Sequence, residues 1–138
     1  MASYFGSSVE LQILFCAIAL GLVQLLVATI FSVGGRGFGW GIGPRDEGWP
    51  ALGKFGGRLE RAYKNFLETF PFFAVGVLLA HALGKSTHNS VLGAQIYIWA
   101  RVLYVPAYVL AIPFLRTLIW GASLAGILMV LSAIWPGM

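Results

Sequence analysis

The chain has 138 residues, is 59% hydrophobic and carries only 10% charged residues. A water-soluble domain has about 25%, so this chain is short of groups to cover a wet surface. Four long apolar runs, at about 20 residues per membrane span, consume most of the length and leave no room for a separate soluble domain. The formal charge of +4 does not point to nucleic acid, because the basic residues cluster beside the apolar runs. Interfacial anchoring and an anionic ligand account for them better.

The first apolar run predicts a helix over about 9–33. No Lys or Arg precedes it and it is too long for a signal-peptide core, so no cleavable signal is expected. Glu10 and Gln12 lie at its outer end, and Glu10 is expected to be solvated there. Gln24 is the deeper polar group, expected to hydrogen-bond a neighbouring helix. Cys16 is the sole cysteine, which excludes an intrachain disulfide. Its neighbours Leu14, Phe15, Ala17 and Ile18 mark it as a packing residue rather than a nucleophile.

Residues 34–57 hold ten of the 18 glycines. Gly34, Gly35, Gly37, Gly39, Gly41 and Gly43 come nearly every second residue, a pattern expected to defeat both helix and strand. The spacing is not G-x-G-x-x-G and no strand precedes it, so a dinucleotide site is excluded. Trp40 and Trp49 suit the headgroup level. Gly43-Pro44-Arg45-Asp46 reads as a turn, with Asp46 pairing to Arg45 or capping; local structure and ligand binding both stand open for Arg45.

The second predicted helix, about 58–83, begins as the most charged stretch of the chain. Arg58, Arg61, Asn65 and Glu68 fall within roughly 80° of one another on a helix, so a polar stripe enters an apolar span. Ionisable groups at membrane depth are costly and point to function. Pro71 cannot donate to the Leu67 carbonyl, which predicts a bend one turn past Glu68. His81, Lys85 and His88 read as interfacial, with no second ligand at metal spacing. The third helix, about 91–112, carries Tyr97, Arg101, Tyr104 and Tyr108 on one face. Its Pro106 leaves the Val102 carbonyl without its helical donor, so a tyrosine, a water or a ligand must serve it. After Pro113 a fourth helix, about 114–135, starts with Arg116 and brings Trp120 one turn later.

Basic residues lie on the 1–2 and 3–4 connections (Arg36, Arg45, Lys54, Arg58, Arg61, Lys64, Arg116), with only Lys85 opposite. The positive-inside rule then sets both termini away from the cytoplasm and both stripes at the cytoplasmic end. Arg58, Arg61, Lys64, Arg101 and Arg116 outnumber Glu68, which stands with Asn65 and three tyrosines. One reading is a buried ion pair of Glu68 with Arg101 or Arg61, the other arginines snorkelling to lipid phosphates. The other is a pocket for an anionic ligand with several carboxylates or phosphates, Glu68 meeting an ammonium group.

The run Arg58, Arg61, Ala62, Asn65, Glu68, Thr69, Pro71, Phe72 resembles the helix-2 signature of the MAPEG family, the membrane-associated proteins in eicosanoid and glutathione metabolism. Ala100-Arg101-Val102 with Tyr104 and Tyr108 is similar to its helix 3, Pro113-x-x-Arg116 to its helix-4 start, and Gly-Pro-Arg-Asp to a loop of bacterial members. The resemblance covers the chain in length and hydropathy, with about 60 residues carrying its specific part.

It implies a single all-α domain over residues 1–138. The fold would be a four-transmembrane-helix bundle assembled as a homotrimer in a bacterial inner membrane, with glutathione between subunits near the cytoplasmic face. It further implies a glutathione S-transferase or peroxidase acting on hydrophobic electrophiles, in detoxification or eicosanoid metabolism. By family match, Arg61, Lys64, Asn65, Glu68, Arg101, Tyr104 and Tyr108 would hold the tripeptide, with Arg58 beside them and Arg36 reaching in from the adjacent subunit. Arg116 would stabilise the thiolate, with Thr117 and Trp120 close by. The chain departs from many members at Lys64, which replaces an arginine fork, at Tyr104, where some carry histidine, and at Trp120, where some carry tyrosine. Aligning Arg116, counted from helix 3, with an eicosanoid-pathway member of the family also needs a one-residue gap. These departures bear on the eicosanoid reactions more than on glutathione binding. A non-catalytic lipid-binding or scaffold member is the alternative. A small four-helix exporter would need a carboxylate in the middle of helix 1, where this chain has none.

Overall fold

The computed structural model describes residues 8–45 and 52–136, and its regular elements are all helices. These are α1 (Val9–Arg36), α2 (Phe38–Ile42), α3 (Lys54–Ala82), α4 (His88–Val109) and α5 (Pro113–Ser132). Ser8 caps α1 by accepting from the Leu11 amide, and Thr87 and Ser90 cap α4 reciprocally. Each supplies hydrogen bonds to amides that the first turn leaves unpaired.

α3 and α4 form the middle of the bundle, with α1 packed on both and α5 against the pair from the other side. The core is one band of interlocked side chains: Leu14 and Ala17, Phe73 and Val77, Ala94 and Tyr97, Ile127 and Val130. The Phe73 and Tyr97 rings stack at 4.0 Å. The tightest seam joins α4 to α5. A Cβ on Gly126 would lie 2.5 Å from the Gly93 carbonyl oxygen, so only glycine lets the two backbones approach this closely.

Much of the apolar surface faces outward: Phe15, Trp99, Phe114 and Leu128 are all more than 60% exposed. A soluble monomer rarely shows such a surface. α1, α3 and α5 are long and apolar enough to cross a membrane. α4 has the length at 22 residues, but Gln95, Arg101 and its tyrosines dilute its hydropathy. All four long helices occupy the expected segments, with ends shifted by a few residues.

Three expectations need correction. The glycine-rich segment is partly helical: α1 continues through Gly34 and Gly35 to Arg36, and α2 follows. Glycine lowers helix propensity without forbidding it, and the Arg36 side chain ties back to Ser32 Oγ at 2.6 Å. The break falls at Gly37, whose φ of 97° ends the helix. Glu10 is not solvated but 4% exposed, accepting from Ser86 and Ser90 at 2.5 and 2.6 Å and from Ser8 at 3.3 Å. Cys16 is exposed on the outer face of α1 rather than packed inside. Asp46 and Trp49 lie outside the described residues; Arg45 donates to the Gly41 carbonyl and lies over the Trp40 ring at 4.6 Å.

α3 runs unbroken through Pro71 and α4 through Pro106. α4 closes on Ala111, in the left-handed region at φ 57°, with Ile112 N–H donating to the Ala107 carbonyl. The same closure at the end of α3 uses Gly84, the residue that this conformation favours. The turn at Ala111 sends α5 back along α4 and sets Arg116 beside Tyr108.

Candidate functional site

The two polar stripes meet where the start of α3 lies against the end of α4. Arg58 donates from Nη1 to the Val109 carbonyl at 2.9 Å, tying the helices together at that end. One turn on, Arg61 Nε donates to the Tyr108 hydroxyl at 3.1 Å. Arg116, from α5, places its guanidinium 4.9 Å from the centre of the Tyr108 ring. A single tyrosine therefore holds one guanidinium at its oxygen and another at its face.

Arg101 lies deeper, at 1% exposure. Its guanidinium sits 4.5 Å from the Tyr104 ring centre and 5.7 Å from that of Phe66. Its Nη1 donates to Asn65 Oδ1 at 3.0 Å, and Asn65 Nδ2 donates to Glu68 Oε2 at 3.4 Å. Arg101 Nε is also buried and has no hydrogen-bond partner among the described residues. Such a group is expensive to hold unless something else repays the desolvation.

The ion pair of Glu68 with Arg101 or Arg61, one of the two readings of the sequence, does not form. Glu68 is exposed and its only polar contact among the described residues is Asn65. Three guanidiniums thus gather around the Tyr104–Tyr108 pair, whose rings are 5.7 Å apart, with one uncommitted carboxylate at the far end of the stripe. An open cavity of about 180 Å³ lies beside them, lined by Asn65, Tyr104, Arg116, Thr117 and Trp120, so that Arg116 is the one guanidinium of the three on its wall.

Other predicted residues fall less centrally. Lys64 is exposed and makes no hydrogen bond or ion pair among the described residues. Thr117 Oγ1 donates to the Pro113 carbonyl at 3.2 Å, so its proton is already engaged and its oxygen is free to accept. Tyr97 leaves the site altogether: it is fully buried in the core, sharing a 3.1 Å hydrogen bond with Thr69. Arg36 faces away from the stripe of its own chain, held by both carboxylate oxygens of Glu60 at 3.3 and 3.2 Å.

Sequence reasoning overlooked Glu60, Phe66 and Gly57. A Cβ on Gly57 would lie 3.2 Å from Arg61 Nη1, so this glycine makes room for the guanidinium. The i, i+4 spacing of Gly57 and Arg61 was the available signal. Glu60 lies on α3 outside the stripe and gave none.

Fold and site together define an all-helical membrane protein with a cation-rich, tyrosine-walled cleft at one end of its bundle. The MAPEG family model matches residues 13–135, so the chain belongs to that family, which includes glutathione transferases and synthases. Neither the search of curated proteins nor that of solved structures returned a match.

Proposed function

We propose that this protein is a membrane-bound transferase that joins glutathione to hydrophobic electrophiles dissolved in the bilayer. The observation that carries the reading is the excess of three guanidiniums, Arg61, Arg101 and Arg116, around two tyrosines with a single free carboxylate, Glu68. Glutathione has the complementary charges: two carboxylates, one ammonium group and a thiol. Arg61 and Arg101 suit the carboxylates, and Glu68 suits the ammonium group. Arg101 Nε, buried without a partner, is the donor that a ligand carboxylate would satisfy.

Arg116 takes the thiol. A fixed guanidinium lowers a thiol's pKa and raises the thiolate fraction, which is the nucleophile. Each tenfold gain in that fraction corresponds to about 1.4 kcal/mol. The thiolate attacks an electrophilic carbon, a C–S bond forms, and the leaving group departs with its electron pair. Tyr104, Tyr108 and Trp120 wall the place where this happens, and Asn65 fixes Arg101 and Glu68 relative to each other.

The reading includes a four-span bundle, α4 crossing as the fourth helix among apolar neighbours, and a homotrimer. A cavity of about 180 Å³ falls short of the roughly 300–1,000 Å³ of ordinary ligand sites, and a neighbouring copy would complete it. Arg36 and Lys64 contact the tripeptide only across such an interface. Orientation by positive charge puts the cleft at the cytoplasmic side and both termini opposite. Reduction of hydroperoxides with the same thiolate is the companion reaction.

Turnover of glutathione with 1-chloro-2,4-dinitrobenzene by purified protein tests the reading. Wild type should conjugate, and Arg116→Ala should lose about a hundredfold in rate. Unchanged turnover in Arg116→Ala would remove the thiolate role. Glutathione-independent binding of fatty acids with no conjugation at all would favour a scaffold.

A further inference from the structure

A second cavity, of about 250 Å³, opens between α1 and α4 on a different side of the bundle. Val102, Val105 and Pro106 face it from α4, roughly 120° around the helix from Arg101, Tyr104 and Tyr108. Its walls are apolar, with Leu20 and Val23 from α1 and Leu59 from α3. Gln24 is the exception. This side chain lines the cavity at 8% exposure, and its Nε2 and Oε1 are both buried with no hydrogen-bond partner among the described residues.

An unmatched amide in apolar surroundings is costly, and the sequence expectation of a partner on a neighbouring helix is not met within the chain. Across the cavity from Gln24 stand Val102 and Pro106. Pro106 has no N–H, so the Val102 carbonyl has no donor one turn on. The cavity thus sets an amide that must both donate and accept beside a residue whose carbonyl lacks its usual helical donor.

These needs define an occupant. Gln24 stands near the middle of the 28-residue α1, where a charged head group would be penalised, so the head is neutral. It has to donate and accept at once, as a hydroxyl does. Val23 and Val102, at the rim, are 57% and 41% exposed, so entry is from the lipid side. A whole helix, about 10 Å across, is too wide to reach a side chain this deeply set, whereas a single alkyl chain is not. An apolar cavity of about 150 Å³ already holds benzene.

We propose that this cavity is a binding site for a bilayer-borne, single-chain amphiphile with a neutral hydroxyl head, which accepts from Gln24 Nε2 and donates to Gln24 Oε1 or the Val102 carbonyl. The proposal does not depend on glutathione chemistry.

A dodecan-1-ol photolabel, with the protein in phosphatidylcholine nanodiscs and labelled peptides read by mass spectrometry, tests it. Labelling of the α1 and α4 peptides around Val23 and Val102 should saturate. Free dodecan-1-ol should compete about tenfold better than dodecane, the worth of one or two hydrogen bonds. Gln24→Leu, which keeps the side-chain bulk, should abolish that preference, and Val105→Phe should block labelling with Gln24 intact. Labelling that does not saturate, or equal competition by alcohol and alkane, would overturn the proposal. So would an undiminished alcohol preference in Gln24→Leu. Labelling that appears only when the assembled protein is dissociated would assign Gln24 to a second copy of the chain instead.

Discussion

Arg101 on α4 and Asn65 on α3 are joined by a 3.0 Å hydrogen bond from a guanidinium that is 1% exposed. That bond is the only hydrogen bond Arg101 makes among the described residues, and the faces of Tyr104 and Phe66 lie against its guanidinium. A buried charge held this poorly is weak evidence for a structural role, because apolar residues of similar volume often serve stability as well or better.

Arg101→Met separates the two roles. Thermal unfolding of the variant in detergent should match wild type or exceed it. Its affinity for glutathione, measured by calorimetry, should fall about tenfold or more, the worth of a charged hydrogen bond. A large loss of stability with unchanged affinity would make Arg101 a structural residue.

The α4–α5 seam is tightest at Gly93 and Gly126, toward the end of the bundle opposite the cleft. A Cβ at position 126 would meet the Gly93 carbonyl oxygen at 2.5 Å and the Tyr97 nitrogen at 2.9 Å, both backbone atoms that cannot swing aside. Gly126→Ala should therefore destabilise by about 1–3 kcal/mol. Gly121→Ala, on the same helix with nothing within 4 Å of the new methyl, should instead be neutral or stabilising by up to about 1 kcal/mol. Thermal unfolding of the matched pair reads both.

At the other end of α1, Glu10 gathers the hydroxyls of Ser8, Ser86 and Ser90 and so fastens α1 to the α3–α4 turn and the start of α4. Glu10→Ala leaves the buried Ser90 hydroxyl without its carboxylate and should destabilise by about 2 kcal/mol. Glu10→Gln, which retains an acceptor, should lose less. Conjugation per folded molecule should be unchanged in both, since the cleft lies at the opposite end of α1.

Three of the four long helices were legible as apolar runs of spanning length, the fourth, α4, by its length between turn signals, and the cleft because two polar stripes keep helical spacing. Periodicity places residues on a face but not at a depth. Tyr97 shares its face with Arg101, yet sits one turn further into the bundle, where Phe73 and Thr69 enclose it. Charge count left Glu68 open between an ion pair and a ligand's ammonium group; the stripe directs it outward while Asn65 takes Arg101. Glu10 looked solvated from its place near a helix end, because the serines that bury it are more than seventy residues away in sequence. Long-range partners of this kind leave no local pattern.

The central claim is that Arg116 ionises a thiol supplied by the ligand. Ultraviolet difference spectroscopy of glutathione bound to the purified protein at neutral pH measures the thiolate directly, without any electrophile. Wild type should show thiolate absorbance that saturates with glutathione, and Arg116→Ala should bind the tripeptide but show none. Equal thiolate absorbance in the two proteins would contradict the account.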